Sequence, residues 1–317
     1  QAPARQVGLR QEAPPQAPDA CYPTRVRRAC APCTDAKEAP ATMTHSPGED
    51  WILSERPDNP EEACGVFGVY APGEDVARLT YFGLHALQHR GQESAGIAVG
   101  DGETVTATKN LGLVSRAFKE SDLASLSGDV AIGHTRYSTT GSSTSWENAQ
   151  PHLSTIGRQA VALAHNGNLV NTHELRDELR GQGIRLRSTT DSEVVATLIS
   201  DFTQKYNHIR DGIRDTMRLI RGAYSVVLIT ENALYAFRDP YGIRPLVLGK
   251  LDDVGWVVAS ETCGLDIVGA TYVRDIAPGE IVKISGAGVE SQEGAPAEKP
   301  SLCMFEFVYF ARPDSVL

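Results

Sequence analysis

The chain has 317 residues, 41% hydrophobic and 22% charged, a composition of soluble globular proteins with enough length for one large core or two modest ones. A formal net charge of −10 leaves no dominant basic patch, which argues against a nucleic-acid or anionic-membrane partner. No apolar run approaches the roughly 20 residues of a membrane-spanning helix, and six cysteines with no secretory signal before them fit a reducing, cytoplasmic setting.

Residues 1 to about 50 are rich in Pro, Ala, Gln and Arg and lack aliphatic periodicity. Such a segment buries too little apolar surface to offset its ordering entropy, so residues 1–63 are expected to be a disordered extension, whose end a cut before Cys64 would make a propeptide. Cys30-Ala31-Pro32-Cys33 has C-x-x-C spacing, a weak metal or redox signal without a second pair. Arg25, Arg27 and Arg28 suit a targeting peptide, whereas Glu12, Asp19, Asp35 and Glu38 do not. The first residue is Gln and Met43 lies just before the folded part, which fits a translation start at Met43.

From Cys64 the pattern changes. Gly65 to Tyr70 is an apolar run bounded by Pro72-Gly73 and predicts a buried strand. Val76, Leu79, Leu84 and Leu87 recur at helical spacing, with a stop near Gly91. Ala95–Val99 and Thr104–Thr108 flank Asp101-Gly102, a hairpin signal because that turn wants positive φ. A helix is predicted after Asn171-Thr172, with Leu175 and Leu179 on one face and Gly181 as its stop. Val194, Val195, Leu198, Ile199 and Phe202 form a second helical stripe, and Ile209, Ile213, Met217 and Ile220 a third. Beyond Gly222, strands are predicted at 223–229, 233–237, 255–259 and 281–284. Gly286 to Pro300 reads as a surface loop, and Cys303 to Phe310 as an apolar strand so near the last residue that the chain looks truncated. Hairpins at both ends with helices grouped between them predict an α+β layered fold.

Cys64 stands where the folded pattern begins. A free cysteine is usually a buried, inert thiol; here cleavage after Ala63 would expose an N-terminal cysteine whose α-amine, with a pKa near about 8, can serve as base to its own thiol. Gly65 beside it would leave room for a substrate carbonyl. Asn166-Gly167 offers a side-chain amide and a backbone N–H as an oxyanion hole, though Asn-Gly is also the commonest type I′ turn pair. Arg136 could grip a carboxylate bidentately. Asp191 could bind an ammonium group or equally cap the helix that follows it. His152, after Asn148-Ala149-Gln150-Pro151, reads either as a lining of the substrate pocket or as a surface histidine.

Taken together, several motifs resemble one family. Cys64-Gly65-Val66-Phe67-Gly68, Leu87 to Gly96, Gly133 to Thr139, His165 to Leu169 and Thr190 to Glu193 occur in its order. So do Arg238-Asp239-Pro240-Tyr241-Gly242-Ile243-Arg244-Pro245-Leu246, Ala259 to Cys263 and Phe310 to Ser315. From about residue 60 to the last, the chain resembles the glutaminase part of the amidophosphoribosyltransferases. The resemblance implies a four-layer αββα sandwich of the N-terminal-nucleophile hydrolase type at 64–300, with 301–317 as the start of a phosphoribosyltransferase part. It also implies that Cys64 attacks glutamine, Asn166 and Gly167 hold the oxyanion, Arg136 and Asp191 bind the α-carboxylate and α-amine, and Tyr137 lies on a loop that closes over the site. In the full-length enzyme the ammonia would displace pyrophosphate from phosphoribosyl pyrophosphate, with Mg2+ and a 4Fe–4S cluster as cofactors and an oligomeric assembly. Cys303 matches one cluster ligand; a single thiolate does not hold such a cluster, so none is expected on this segment alone. The alternatives are another glutamine-dependent synthetase, which the Arg312-Pro313-Asp314-Ser315 ending and Cys303 oppose, and a non-catalytic glutamine-binding remnant, which would not need Cys64.

Overall fold

In a computed structural model, residues 64–137 and 145–316 are described; the extension, its C-x-x-C pair and Met43 lie outside them. The first elements are β1 (Gly65–Tyr70), α1 (Val76–Ala86), β2 (Ser94–Gly100), β3 (Val105–Leu111), α2 (Val114–Ala117), α3 (Glu120–Ala124) and β4 (Val130–Arg136). A middle block holds β5 (His152–Ile156), β6 (Gln159–Leu169), α4 (Thr172–Gly181), α5 (Asp191–Tyr206) and α6 (Ile209–Leu219). The remaining elements are β7 (Gly222–Ile229), β8 (Leu234–Arg238), β9 (Val247–Leu251), β10 (Gly255–Ala259), α7 (Thr262–Asp266), β11 (Thr271–Asp275), β12 (Glu280–Ser285) and β13 (Gly288–Glu293).

The strands form two antiparallel sheets, β11-β9-β10-β1-β4-β2-β3 and β13-β12-β8-β7-β6-β5. Three apolar clusters separate four layers. Phe67, Val69, Ile97 and Val99 pack the first sheet against α1, α2 and α7 with Leu84, Val114 and Leu265. Tyr224, Val226 and Leu228 pack the second sheet against α4 to α6 through Leu175, Val195, Ile199 and Ile213. Between the sheets lie Val66, Ala98 and Ile132 from one side and Ala164, Val227, Leu234 and Ile284 from the other. Alternate residues of β1 and β7 thus enter different clusters, and because both faces are buried these strands read as continuous apolar runs. This is the αββα sandwich.

The predicted hairpin at Asp101-Gly102 is present, with Gly102 at φ +91° and the Asp101 carboxylate accepting from the N–H groups of Glu103 and Thr104. Two predictions fail. Gly288–Glu293, expected within a loop, is β13, paired along its length with β12; it is an edge strand carrying Glu290, Ser291, Gln292 and Glu293, so backbone bonds hold it without an apolar pattern to betray it. The expected strand at Cys303 to Phe310 is instead a helical segment ending in a π-turn at Glu306–Phe310. Its apolar residues Met304, Phe305, Phe307 and Val308 are exposed, and the residue it buries is Glu306, drawn in by two guanidinium groups. Charge pairing, not apolar alternation, fixes that segment.

Candidate active site

Cys64 immediately precedes β1, whose next residue, Gly65, lies opposite Thr135 of β4. A Cβ on Gly65 would stand 2.7 Å from Thr135 Oγ1 and 3.1 Å from Leu87 Cβ, so the missing side chain makes room for the protein's own packing and not for a substrate. The chain leaving β4 runs over the thiol: Cys64 Sγ donates to the Tyr137 carbonyl at 3.2 Å and accepts from the Tyr137 N–H at 3.4 Å. Burial pushes the thiol pKa up, outweighing that backbone bond and the charges of Arg136 and Arg244. The thiol is therefore protonated at neutral pH and needs a base to attack. Among the described residues no basic side chain is hydrogen-bonded to Sγ.

Arg136 ends β4 opposite Ser94 of β2, is 2% exposed, and has its guanidinium 3.7 Å from the Glu93 carboxylate. The opposing sheet brings Asn166 and Gly167, which lie inside β6 opposite Ser225 and Tyr224 of β7, so the turn reading of Asn-Gly fails. Gly167 has φ +146°, and a Cβ there would lie 2.0 Å from the Ala223 carbonyl oxygen. Close approach of β7, not chain reversal, demands this glycine. Asn166 is fully buried, yet among the described residues neither its Oδ1 nor its Nδ2 has a hydrogen-bond partner. Leaving a buried amide unsatisfied costs about 1–3 kcal/mol, a penalty a bound ligand would remove.

Between the two sheets, His134 Nε2 reaches the His165 carbonyl at 3.1 Å, tying β4 to β6. Burial holds the His134 pKa well below its ordinary value. The ring is then neutral, and with a carbonyl as partner its proton sits on Nε2. Asp191 opens α5 but does not cap it; Thr190 does, its hydroxyl accepting from the Glu193 N–H. The Asp191 carboxylate accepts from the Leu169 N–H at 3.0 Å and the Ser192 hydroxyl at 3.4 Å, and lies 3.7 Å from His165 Nδ1. Burial alone would raise its pKa, but the His165 ring and these donors outweigh burial and hold it low, so it is an anion ready for a cation.

His152 is no surface residue. It starts β5, is 6% exposed, and its Nε2 lies 2.9 Å from the Thr190 hydroxyl. Burial, then the Lys109 charge, pushes its pKa down to about 3, so it is neutral. It lines a cavity of about 200 Å³ with Lys109, Trp146 and Glu193. Cys303 lies apart on the C-terminal segment, half-buried beside Arg238 and Glu306. Sequence reasoning assigned no role to Arg90, Glu261 and Glu306, which form a buried charge cluster beneath Cys64. Arg90 and Glu261 were present as charged side chains inside the motifs Leu87 to Gly96 and Ala259 to Cys263, whereas Glu306 stood as a lone charge in an apolar run.

An αββα sandwich with a cysteine at the head of its first strand defines the N-terminal-nucleophile class of glutamine amidotransferase domain. A model of the glutamine amidotransferase domain matches residues 134–266. The amidophosphoribosyltransferase of Synechococcus elongatus is 58% identical over 265 residues, 83% of this chain and 54% of that protein. That of Mycobacterium leprae is 52% identical over 284 residues, 88% of this chain and 49% of that protein. Among solved structures, the Bacillus subtilis glutamine phosphoribosylpyrophosphate amidotransferase, in complex with ADP and GMP, matches with a TM-score of 0.73 at 42% identity. That match covers 80% of this chain and 54% of the other. Over more than 80% of its length the chain is similar to amidophosphoribosyltransferases, and the matched part includes a glutamine amidotransferase domain. The chain spans about half the length of the curated relatives it matches.

Proposed function

We propose that residues 64–300 hydrolyse glutamine at Cys64, with residues 301–317 opening the phosphoribosyltransferase part of a longer enzyme. In that enzyme the ammonia displaces pyrophosphate from phosphoribosyl pyrophosphate to give 5-phosphoribosylamine, the first committed step of purine synthesis. The single observation that carries the reading is the pairing, among the described residues, of a buried thiol without a side-chain base and a buried Asn166 amide without a partner. The first calls for an amine supplied by cleavage after Ala63, the second for an oxyanion.

In this reading the freed α-amine of Cys64 takes the thiol proton, and the thiolate attacks the glutamine side-chain carbonyl carbon. Asn166 Nδ2 and the Gly167 N–H donate to the oxygen that becomes negative. Collapse breaks the carbon–nitrogen bond, the ammonium returns its proton to the leaving ammonia, and a thioester remains. Water, deprotonated by the same amine, hydrolyses it to glutamate and regenerates the thiol. Arg136 forks onto the α-carboxylate and Asp191 accepts from the α-ammonium, while Tyr137 closes over the thiol and His152, through Thr190, borders the pocket. A 4Fe–4S cluster takes four ligands. Cys303 would supply one thiolate, and among the described residues no group of three or more His, Cys, Asp or Glu could hold a metal ion. These donors do not fit the cluster by themselves, and Mg2+ would be held in the remaining half.

The test compares chains beginning at Cys64 and at Gln1. The chain beginning at Cys64 should release glutamate from glutamine, and its Cys64→Ser variant should not. Equal release by a chain that retains its leader would overturn the terminal-amine assignment.

A further inference from the structure

Four hydrogen bonds of one buried side chain tie three residues together below Cys64. Arg90 is 0% exposed. Its Nε donates to the Cys64 carbonyl at 3.1 Å, its Nη1 to Glu261 Oε1 at 2.5 Å, and its Nη2 to both Glu306 oxygens at 3.0 Å. Glu306, 3% exposed, also accepts from Arg244 Nη1 at 3.0 Å. Glu261 in turn accepts from the Arg312 N–H and the Ser315 hydroxyl. Two guanidinium groups are thus balanced by two carboxylates, with Arg90, Glu261 and Glu306 buried and Arg244 at the rim, and each carboxylate is tied to the C-terminal segment.

A guanidinium is a rigid planar fork. Once carboxylates occupy both of its Nη ends, the direction of its Nε–H is fixed, and here it fixes the Cys64 carbonyl. This matters most for a residue at a chain terminus. After cleavage no upstream peptide restrains Cys64; Gly65 is held in β1, and Arg90 pins the Cys64 carbonyl while the α-amine stays available as base.

We propose that Glu306 is a positioning residue for Cys64, acting through Arg90, so that the nucleophile is oriented only when the segment from Cys303 to Ser315 is seated. The inference rests on Cys64 being the glutaminase nucleophile. It touches neither substrate nor thiol, and its effect is on the fraction of time the thiol points correctly; a misplacement of about 1 Å can cost about 10²-fold in rate.

The experiment measures glutamine hydrolysis by the processed, full-length protein, with competent thiols counted by titration with a diazoketone analogue of glutamine. For Glu306→Gln, kcat per titrated thiol should fall by about ten- to a hundredfold, with KM for glutamine within about threefold of wild type because glutamine contacts are intact. In an Arg90→Lys background the same substitution should cost nothing further, since residues acting in series do not add. If Glu306→Gln does not fold, Glu306→Asp, which keeps the charge and shortens the reach, takes its place in the cycle with an expected loss of about threefold or more. Unchanged kcat per thiol, a loss expressed in KM, or losses that add to that of Arg90→Lys would each overturn the inference alone. A wild-type protein that releases no glutamate would sink it together with the proposed function.

Discussion

Asn166 illustrates how a single side chain can declare a task. A buried amide with two idle polar atoms is a cost in the folded chain, so its truncation should separate activity from stability. Asn166→Ala should lower glutamine turnover by about 10²–10³-fold, the value of one oxyanion donor, while the thermal midpoint stays level or rises because two unsatisfied groups leave the core. A drop of less than about tenfold would return Asn166 to a structural role. Arg136, buried at the end of β4, serves a different term. Arg136→Lys keeps the charge but loses the fork, so KM for glutamine should rise with little change in kcat; steady-state kinetics on the chain beginning at Cys64 will show whether it does.

At the scale of elements, the site depends on β6 and β7 approaching closely enough to present Asn166 inward. Gly167 is where that approach is tightest, combining φ +146° with a Cβ position 2.0 Å from a carbonyl oxygen. Gly167→Ala should therefore separate the two strands locally and cost about 3 kcal/mol or more, read as a lowered denaturation midpoint. A substitution tolerated without loss would mean that β7 can withdraw. The same strand pair shows why the sequence misled at this point. Asn-Gly is locally a turn signal, and only the pairing of β6 with β7 overrides it. Asp191 was similarly ambiguous, because a helix start supplies two adjacent polar residues and the hydrogen bonds alone say that Thr190 caps while Asp191 faces the buried site.

On the scale of the whole molecule, the Glu261 carboxylate connects α7, the end of α1 and the C-terminal segment. Burial alone would raise its pKa, but the His89 hydrogen bond and the Arg90 charge hold it at about 2, below the ordinary 4.5. A depressed folded value means that its contribution is fully present above about pH 4.5 and is lost as pH falls through about 2. Glu261→Gln should thus be less stable than wild type by about 3 kcal/mol at neutral pH, and denaturant titrations should show the gap closing between about pH 4.5 and pH 2. A gap that persists unchanged at low pH would show that size, not charge, is what the cluster needs.

Hydrophobic periodicity was enough to place β1, α1, the first hairpin, the three middle helices and four of the later strands, because each of those segments buries a face whose spacing is written locally. The motifs from Cys64 to Asp191 likewise named the candidate groups. Local pattern could not reveal β13, which owes its existence to a partner's backbone, nor the C-terminal turn, which forms because Glu306 finds Arg90 and Arg244 far away in sequence. Nor could it reveal that Gly65 and Gly167 serve packing, since a glycine carries no record of what approaches it. Residue chemistry is a local property; which donors are left unpaired, which charges balance and which face of a strand meets the opposite sheet are settled by contacts between distant segments, and those exist only once the two sheets have closed on each other.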